Sequence, residues 1–417
     1  MRTLVVAGTH SGVGKTTIAT GLLAALRARG HRVQGFKVGP DYIDPSYHAA
    51  ATGRPSRNLD AWLCPPRAVR DIYRRAAADV NVVEGMMGLF DASIDGRGST
   101  AEIAKILGAP VILVVDAAGL AQSAGAIVEG FVRYDRALRV AGVIFNRVAS
   151  EGHYEYLRRA VRIPTLGWVA RDPSIALPER HLGLVPAGEC PADIRRLGRV
   201  VARRLDLDKL LRICSVPAPV APTKSSRVSV DATIAVAKDD AFAFYYPENL
   251  EILEARGTRL RFFSPLRGEM PDSDAIYLGG GFPELHVVRP HRKLQAAVRA
   301  GMPVYAECGG LMYLVAQGLV PGRIEMTDRL QNFGYAEATA LRDTVVARRG
   351  QRVRGHEFHH SRWIHDGVPA AYRIGSRRDG YAHGNIHASY VHLHFGGAPE
   401  CAGRFVQSAK EWRGKQP

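Results

Sequence analysis

The 417-residue sequence predicts an α/β protein with two domains. Three observations support this prediction: apolar runs alternate with helical patterns over residues 1–213, a proline-rich stretch follows them, and a second α/β pattern begins at Thr233. A chain of this length, in which 46% of the residues are hydrophobic, can bury two separate cores. We therefore expect domains at 1–213 and 230–417, joined by a linker at 214–229.

The N-terminal domain begins with a buried strand at 3–7 and continues with an amphipathic helix at 15–29. Further strands, rich in Val and Ile, are predicted at 32–37, 80–84, 111–116 and 140–146. Continuous apolar runs separated by helices are typical of a parallel sheet that helices cover on both faces. Ligands of such sheets bind at the carboxyl ends of the strands.

A glycine-rich loop, GTHSGVGKTT at 8–17, lies between the first strand and the first helix. Its glycines let backbone N–H groups close around phosphate oxygens, and its lysine can reach the β- and γ-phosphates of a nucleotide. The hydroxyl of Thr16 can bind Mg²⁺. The loop therefore predicts an ATP site that contains Gly12, Gly14, Lys15, Thr16 and Thr17.

Acidic side chains follow two of the predicted strands. Asp41 and Asp44 come after the second strand, Glu84 ends the strand at 80–84, and Asp91 lies in the loop beyond it. Carboxylates at strand ends that face a phosphate loop suit Mg²⁺, so we expect Thr16, Asp41, Asp44 and Glu84 to bind this ion. The two aspartates could instead form turns beside prolines, and Glu84 could cap a helix. Asp91 is a weaker candidate for the site.

The linker and the C-terminal domain follow. Residues 215–226 contain three prolines, which favours an interdomain linker. The C-terminal domain begins with a strand at 233–237, and a later strand at 274–278 leads into a turn of three glycines.

A nucleophile elbow is predicted at 304–313, VYAECGGLMY, where an apolar strand runs into Glu-Cys-Gly-Gly and then into a helical pattern. This turn lifts the thiol of Cys308 to a helix N-terminus, where the dipole and backbone N–H groups favour the thiolate. The backbone N–H groups of Gly309 and of the turn at Gly280 and Gly281 form the predicted oxyanion hole. The same cysteine could also be a buried, unreactive residue.

Composition and charge limit the function classes. The net charge of +16 fits either the Arg bias of a GC-rich genome or an acidic small substrate. Nucleic acid is not an expected partner because the basic residues are spread out and no nucleic-acid-binding module is visible. No apolar stretch approaches 18 residues, so we expect no membrane span. The five scattered cysteines suggest a reducing cytoplasm without disulfides or structural zinc.

Five segments carry a resemblance to a known family: GTHSGVGKTT at 8–17, KVGPDYID at 37–44, VEGMMGLFD at 83–91, NRV at 146–148 and AECGG at 306–310. Together they resemble the cobyrinate a,c-diamide synthase family. The resemblance covers essentially the whole chain and includes the aerobic members that act on hydrogenobyrinate. It implies a ligase of cobalamin biosynthesis that uses ATP, Mg²⁺ and L-glutamine to amidate the a and c carboxylates of a corrinoid polycarboxylate through acyl phosphates.

The N-terminal half also resembles dethiobiotin synthetase. This resemblance implies that Thr16, an early Asp and Glu84 bind Mg²⁺ and that Asn146 lies near the adenine of ATP. The cobyrinate family further implies a group of residues near the carboxylate being activated, namely Asp41, Tyr42, Ile43 and Asp91.

The C-terminal half resembles class I glutamine amidotransferases, which implies that Cys308 releases ammonia from glutamine through a glutamyl thioester. Most of these enzymes carry His-x-Glu where this chain has His392-Leu393-His394. We favour His392 as the base, with His394 as the second candidate. On either assignment the acidic triad member is missing, which predicts a modest glutaminase. A second histidine group, His356, His359 and His360, is expected to be solvated or to contact the other domain.

Two different enzyme classes also fit parts of the sequence. A partition-type ATPase would share the phosphate loop, but it carries a signature lysine where this chain has His10, and it needs no Cys308. Enzymes that amidate related tetrapyrroles, namely nickel-sirohydrochlorin a,c-diamide synthase and cobyric acid synthase, would share both sites. The sequence leaves open whether the corrin holds cobalt, which carboxylate reacts first, and whether the chain forms a homodimer.

Overall fold

The computed structural model describes residues 1–177, 179–180, 183–184, 187–189, 193–214 and 229–416. The chain divides into two compact units, Met1–Pro222 and Thr223–Pro417. The predicted linker at 214–229 lies outside the described residues except for its first and last positions. In the described part of the chain, no helix is both long enough and apolar enough to cross a membrane.

The first unit is built on a seven-stranded sheet with the order β3-β2-β4-β1-β5-β6-β7, and all neighbouring strands are parallel. The strands of this sheet are β1 (Arg2–Gly8), β2 (Val33–Val38), β3 (Arg57–Leu59), β4 (Val80–Gly88), β5 (Val111–Asp116), β6 (Val140–Val148) and β7 (Thr165–Ala170). A separate antiparallel pair consists of β8 (Glu179–Arg180) and β9 (Gly183–Leu184). The helices are α1 (Lys15–Ala28), α2 (Asp44–Thr52), α3 (Pro66–Ala76), α4 (Thr100–Leu107), α5 (Ser123–Tyr134), α6 (Glu151–Ala160), α7 (Ile194–Arg204) and α8 (Leu207–Ile213).

The predicted strands of this unit agree with the observed ones to within two residues, except at the end of one strand. The strand at 111–116 has the predicted bounds, whereas β4 runs on from the predicted end at Glu84 to Gly88. The extension exists because Gly8 of β1 and Gly88 remain paired beyond a register shift. As a result, the loops after β1 and β4 start beside each other.

Close packing of α1 against α7 fixes the helix that follows the phosphate loop. A Cβ on Gly21 of α1 would lie within 3.0 Å of Val201, and one on Gly198 of α7 would lie within 3.0 Å of Ala24. Both glycines therefore allow the helix backbones to approach closely. Leu22, Leu26 and their neighbours on α1 complete a buried core under the sheet.

The second unit contains a six-stranded sheet, β11-β10-β12-β13-β21-β20, and a five-stranded antiparallel sheet, β19-β18-β15-β16-β22. Its strands are β10 (Ala232–Ala237), β11 (Thr258–Phe263), β12 (Ala275–Leu278), β13 (Val304–Glu307), β14 (Arg323–Met326), β15 (Asn332–Ala340), β16 (Arg352–His359), β17 (Ser361–Ile364), β18 (Tyr372–Ile374), β19 (Arg377–Asp379), β20 (Tyr381–His383), β21 (Ile386–Ser389) and β22 (His392–Leu393). Its helices are α9 (Pro247–Glu254), α10 (Arg292–Ala300), α11 (Gly309–Ala316) and α12 (Pro399–Arg413).

Alternation along the central strands of the six-stranded sheet builds two cores. Ile234 and Tyr277 belong to one core, whereas Ala235 and Ile276, their neighbours in sequence, belong to the other. Successive side chains of a strand point to opposite faces, so a strand that is apolar throughout needs cover on both sides. The central strand β13 ends at Glu307, directly before the predicted nucleophile.

Candidate active site

The phosphate loop of the first unit has the backbone that its sequence predicts. Gly12 and Gly14 have φ of 79° and 92°, in the left-handed region that favours glycine. Lys15 is buried, and its Nζ donates to the carbonyl of His10 at 3.2 Å. Burial and the nearby charge of Lys37 lower the pKa of Lys15 to about 8, although nearby carboxylates oppose this effect.

Two side chains from the end of β6 hold this loop. Asn146 Nδ2 donates to the carbonyl of Val13 at 2.8 Å, and a Cβ on Gly14 would collide with the same amide. Arg147 donates to the carbonyl of Gly12 at 2.8 Å and pairs with Asp116 of β5. The structure therefore places Asn146 against the phosphate loop. Arg147 was not among the predicted site residues.

A buried cluster of opposite charges lies at the carboxyl ends of β2 and β4. Lys37 Nζ is 2.5 Å from Asp44 Oδ2 and 3.0 Å from Glu84 Oε1. Thr16 Oγ1 donates to the same Glu84 oxygen at 2.7 Å and lies 3.4 Å from Asp44 Oδ2. Three of the four predicted metal ligands thus converge, and the ammonium of Lys37 lies among them.

The charges of this cluster shift one another's protonation. Burial alone would lower the pKa of Lys37, but Asp44, Glu84 and Asp41 more than offset that and raise it. Burial would raise the pKa of Glu84, yet Lys37 and the hydrogen bond from His48 hold it below its ordinary range. Lys37 and Glu84 therefore form a buried charged pair. Lys37 was not a predicted site residue.

His48 of α2 supports Glu84 from the other side. Its Nε2 lies 2.7 Å from Glu84 Oε2, and its Nδ1 lies 3.1 Å from Ser56 Oγ. Gly35 of β2 makes room for the ring, because a Cβ there would lie 2.7 Å from His48 Cβ. Both oxygens of Glu84 are thus fixed by neighbouring side chains.

The predicted substrate residues lie in the loops next to this cluster. Asp41 Oδ1 accepts the N–H groups of Ile43 and Asp44 at 2.7 and 3.1 Å, so one of its oxygens is used in the turn. Its other oxygen lies 3.9 Å from Lys37 Nζ. Tyr42 and Ile43 are half-buried in the same loop.

Asp91 lies on the loop after β4. Its Oδ2 accepts the N–H of Gly88 at 2.7 Å, and its charge acts on Lys15 of the phosphate loop. Within the described ranges, no three or more His, Cys, Asp or Glu side chains form a group that could hold a metal ion.

The elbow of the second unit has the strained backbone of a nucleophile turn. Cys308 has φ of 47° and ψ of −104° and lies between β13 and α11. A Cβ on Gly309 would lie 2.9 Å from the carbonyl oxygen of Gly281, and one on Gly310 would collide with the carbonyl of Leu278. The two glycines after the cysteine therefore let the helix start directly above β12.

The oxyanion prediction changes in one residue. The N–H of Gly280 donates to the carbonyl of Phe244 at 3.2 Å, so Gly280 is engaged and was wrongly included. The N–H of Gly279 likewise donates to Tyr245 at 2.8 Å. The backbone nitrogen of Gly281 lies 3.1 Å from the point that a Cβ on Gly309 would occupy. The two glycines are therefore close together, and both stay candidates for the oxyanion hole.

His392 contacts the nucleophile Cys308. Burial works against the charged form of His392, but its contacts with Cys308 and Glu307 raise its pKa to about 10. Burial lowers the pKa of His394 to about 4, and its Nδ1 accepts the N–H of Gly396 at 3.1 Å. The contact of His392 with Cys308, and not the raised pKa, favours His392 as the histidine that works with the nucleophile.

The structure bears on two further expectations about this unit. His356 and His359 are buried, so the expectation that they are solvated was wrong, and the ring of His356 stacks on that of His392 with centroids 4.8 Å apart. The sequence also predicted no acidic partner for the histidine, but a carboxylate does lie near His392. Glu307 is buried, and its Oε2 lies 3.8 Å from His392 Nδ1.

Two family models match the chain. One is described as a CobQ/CobB/MinD/ParA nucleotide binding domain and matches residues 4–185. The other is described as a CobB/CobQ-like glutamine amidotransferase domain and matches residues 233–400. The fold, the phosphate loop and the Cys308–His392 pair thus define a glutamine amidotransferase joined to a nucleotide-binding domain.

Curated relatives named cobyrinate a,c-diamide synthase match almost the whole chain. The protein from Priestia megaterium is 41% identical over 98% of this chain and 97% of its own length. Those from Listeria monocytogenes serovar 1/2a and Salmonella typhimurium are 43% and 40% identical, over 95% and 97% of this chain and 96% and 98% of their own lengths. The chain belongs to the cobyrinate a,c-diamide synthase family and is a glutamine-dependent, amide-forming ligase.

Proposed function

We propose that the chain amidates the a and c carboxylates of cobyrinate or hydrogenobyrinate, with glutamine as nitrogen donor and ATP as activating reagent. The observation that carries this proposal is the presence, in one chain that matches the family from end to end, of a phosphate loop and a cysteine–histidine pair. The five cysteines are consistent with work in a reducing cytoplasm.

The second unit supplies ammonia. The thiol of Cys308 gives its proton to His392 while sulfur attacks the side-chain amide carbon of glutamine. The tetrahedral oxyanion accepts hydrogen bonds from the N–H groups of Gly309 and Gly281. The carbon–nitrogen bond then breaks, His392 returns the proton to the leaving nitrogen, and ammonia departs. Water hydrolyses the thioester to glutamate and the free thiol.

The first unit activates the acceptor. A carboxylate oxygen of the corrinoid attacks the γ-phosphorus of ATP, and the bond from that phosphorus to ADP breaks, which leaves an acyl phosphate. Lys15 stabilises the charge on the transferring group from the phosphate loop. Ammonia then attacks the acyl carbon, and phosphate leaves. Asp41, Tyr42, Ile43 and Asp91 are the residues that we place around the carboxylate.

The residues at the cluster fit Mg²⁺. The oxygens of Thr16, Asp44 and Glu84 converge, and a hydroxyl with one or two carboxylates is the donor set that Mg²⁺ combines with nucleotide oxygens. When bound, the ion neutralises charge on the phosphates.

Product analysis tests this proposal. Incubation with cobyrinate, hydrogenobyrinate or nickel-sirohydrochlorin, together with MgATP and glutamine, should give a product with two added amides from a cobyrinate-type corrin. Four added amides would indicate cobyric acid synthase activity, and a diamide of nickel-sirohydrochlorin alone would move the substrate to that tetrapyrrole. ATP-dependent DNA binding without any amide product would favour the partition-type ATPase.

Variants separate the two half-reactions in the same assay. Cys308→Ser and His392→Ala should lose synthesis from glutamine and keep synthesis from a high concentration of ammonium salt at raised pH. His394→Asn is the matched control, since its amide oxygen can still accept the N–H of Gly396. Equal loss with both nitrogen sources in a folded Cys308→Ser protein would contradict the proposed division of labour.

A further inference from the structure

The carboxylate of Glu307 lies beside the ring of His392, the histidine that contacts Cys308. His392 contacts Cys308, and its Nδ1 lies 3.8 Å from Glu307 Oε2. We propose that Glu307 is the positioning acid of this glutaminase: it orients His392 through Nδ1, so that Nε2 is directed to the thiol of Cys308. The inference rests on the glutaminase half of the proposed function.

Three donors hold the carboxylate in this position. Oε1 accepts the hydroxyl of Tyr305 and the N–H of Leu393, the latter at 2.9 Å, and Oε2 accepts the hydroxyl of Tyr277 at 2.9 Å. Tyr305 precedes Glu307 by two residues on β13, and Tyr277 is the register partner of Tyr305 on β12. Every contact brings a donor to a carboxylate oxygen, so the surroundings satisfy the acceptor-only form of the carboxyl group.

The place of the usual acid is taken by a histidine, His394, which has no carboxylate. His394 Nδ1 accepts the N–H of Gly396, and its ring packs on Tyr246 with centroids 4.6 Å apart. Glu357, another buried carboxylate of this region, forms its ion pair with Arg377. Glu307 therefore provides, from the residue before the nucleophile, the acid that other class I enzymes carry after the histidine.

The chemical role follows the logic of a nucleophile–histidine–acid triad. A proton moves from Cys308 Sγ to Nε2, and the resulting imidazolium lies between the sulfur and the carboxylate. Glu307 holds the tautomer and stabilises the positive ring. The same proton later passes to the departing nitrogen of glutamine. Loss of the acid in such triads lowers kcat by up to about 10⁴-fold.

Glu307→Gln tests the role, because it keeps the size of the side chain and removes the charge. Hydrolysis of glutamine, measured without any tetrapyrrole, should lose about 100-fold or more in kcat, with the KM for glutamine changed less than about threefold. Synthesis from ammonium salt should stay near the wild-type rate. Glu357→Gln is the matched control for removing a buried carboxylate charge from the same unit, and it should keep glutamine hydrolysis within about threefold of the wild-type rate.

Alkylation of Cys308 by iodoacetamide as a function of pH gives a readout that a merely structural role would not move. In Glu307→Gln the pH at which the alkylation rate increases should be higher by about one unit or more. The reason is that the imidazolium, which favours the thiolate, loses its counter-charge. The other titratable groups around His392 are His356, His359, His394 and Glu357, and all four are unchanged in this variant.

The outcomes separate the two proposals. A wild-type alkylation profile and wild-type glutamine hydrolysis in Glu307→Gln would overturn the role of Glu307 whatever the tetrapyrrole is. Absence of a diamide product with the wild-type protein would overturn the proposed substrate and leave the alkylation test intact. If Glu307→Gln does not fold, Glu307→Asp decides, because it withdraws the charge from Nδ1 by one methylene, and an unchanged kcat would overturn the inference.

Discussion

Lys37 balances the charge of a cluster that would otherwise place carboxylates side by side in a buried site. Its ammonium lies 2.5 Å from Asp44, 3.0 Å from Glu84 and 3.9 Å from Asp41, and its side chain is 5% exposed. Removal of one partner from a buried ion pair costs about 3 to 5 kcal/mol, because the remaining charges stay desolvated and unpaired. Lys37 therefore stabilises the first unit, in addition to any part in catalysis.

Replacement of this lysine should change stability in a metal-dependent way. We expect Lys37→Met to lower the unfolding free energy of the first unit by about 3 kcal/mol in the absence of divalent cations. Mg²⁺ should raise the melting temperature of the variant more than that of the wild-type protein, since the cation supplies the missing positive charge. Calorimetry with and without Mg²⁺ measures both effects.

Lys105→Met is the control for this measurement. Lys105 forms a 2.7 Å ion pair with Asp135 but is 42% exposed, so its loss should cost less than about 1 kcal/mol and should not respond to Mg²⁺. A Lys37→Met protein as stable as the wild type, with the same response to Mg²⁺, would contradict the role that we assign to the cluster.

The turn from β13 into α11, which presents Cys308, requires close packing of the backbone at Gly310. A Cβ on Gly310 would lie within 3.0 Å of the carbonyl oxygen of Leu278, a distance that real Cβ atoms essentially never show. The start of α11 would have to move away from β12, and the thiol of Cys308 would move with it.

Gly310→Ala should therefore lose glutamine-dependent synthesis by at least about tenfold and lower the unfolding free energy by about 1 to 3 kcal/mol. Gly403→Ala in α12 is the matched control, because its nearest neighbour would be Arg256 at 3.8 Å. Alanine in that helix should stabilise the protein by about 0.5 to 1 kcal/mol. Glutamine kinetics and thermal unfolding of the two variants provide the comparison, and a Gly310→Ala protein with wild-type kinetics would contradict the close approach.

Patterns that are local in sequence could be predicted, and contacts set by strand register could not. The phosphate loop and the elbow were predicted because each places its chemistry within about ten consecutive residues. Lys37 looks like an ordinary strand residue until β2 and β4 pair and bring it opposite Glu84. Glu307 was visible in the elbow, but its contact with His392 depends on β22, 85 residues further along the chain.

The burial of His356 and His359 could not be predicted for the same reason. Their strand, β16, pairs with β15 on one side and with β22 on the other, and His356 is the register partner of His392. A motif of three histidines in five residues, 356–360, carries no sign of that pairing. The sequence identified the chemistry of both units, and the structure supplied the residues that position it.

The whole chain is basic, with a net charge of +16, whereas the proposed corrin substrate carries many carboxylates. Charges of opposite sign attract an acidic ligand over distances comparable with the Debye length, which falls to about 8 Å at physiological ionic strength. Glutamine has no net charge at neutral pH. Titration with salt can therefore compare the corrinoid, whose KM should change, with glutamine, whose KM should not.

Salt and time courses together test how the whole molecule handles its substrate. We expect the KM for the corrinoid to rise at least severalfold between about 0.02 and 0.3 M NaCl, with the KM for glutamine nearly constant. A KM for the corrinoid that does not change with salt would assign the basic excess to composition alone.

Because one phosphate loop must activate two carboxylates in turn, a monoamide should accumulate early. Tyr42→Ala or Ile43→Ala should change the amount of monoamide without changing glutamine hydrolysis. Quenched samples analysed by mass spectrometry measure this intermediate. Diamide that forms with no detectable monoamide under excess substrate would contradict sequential release.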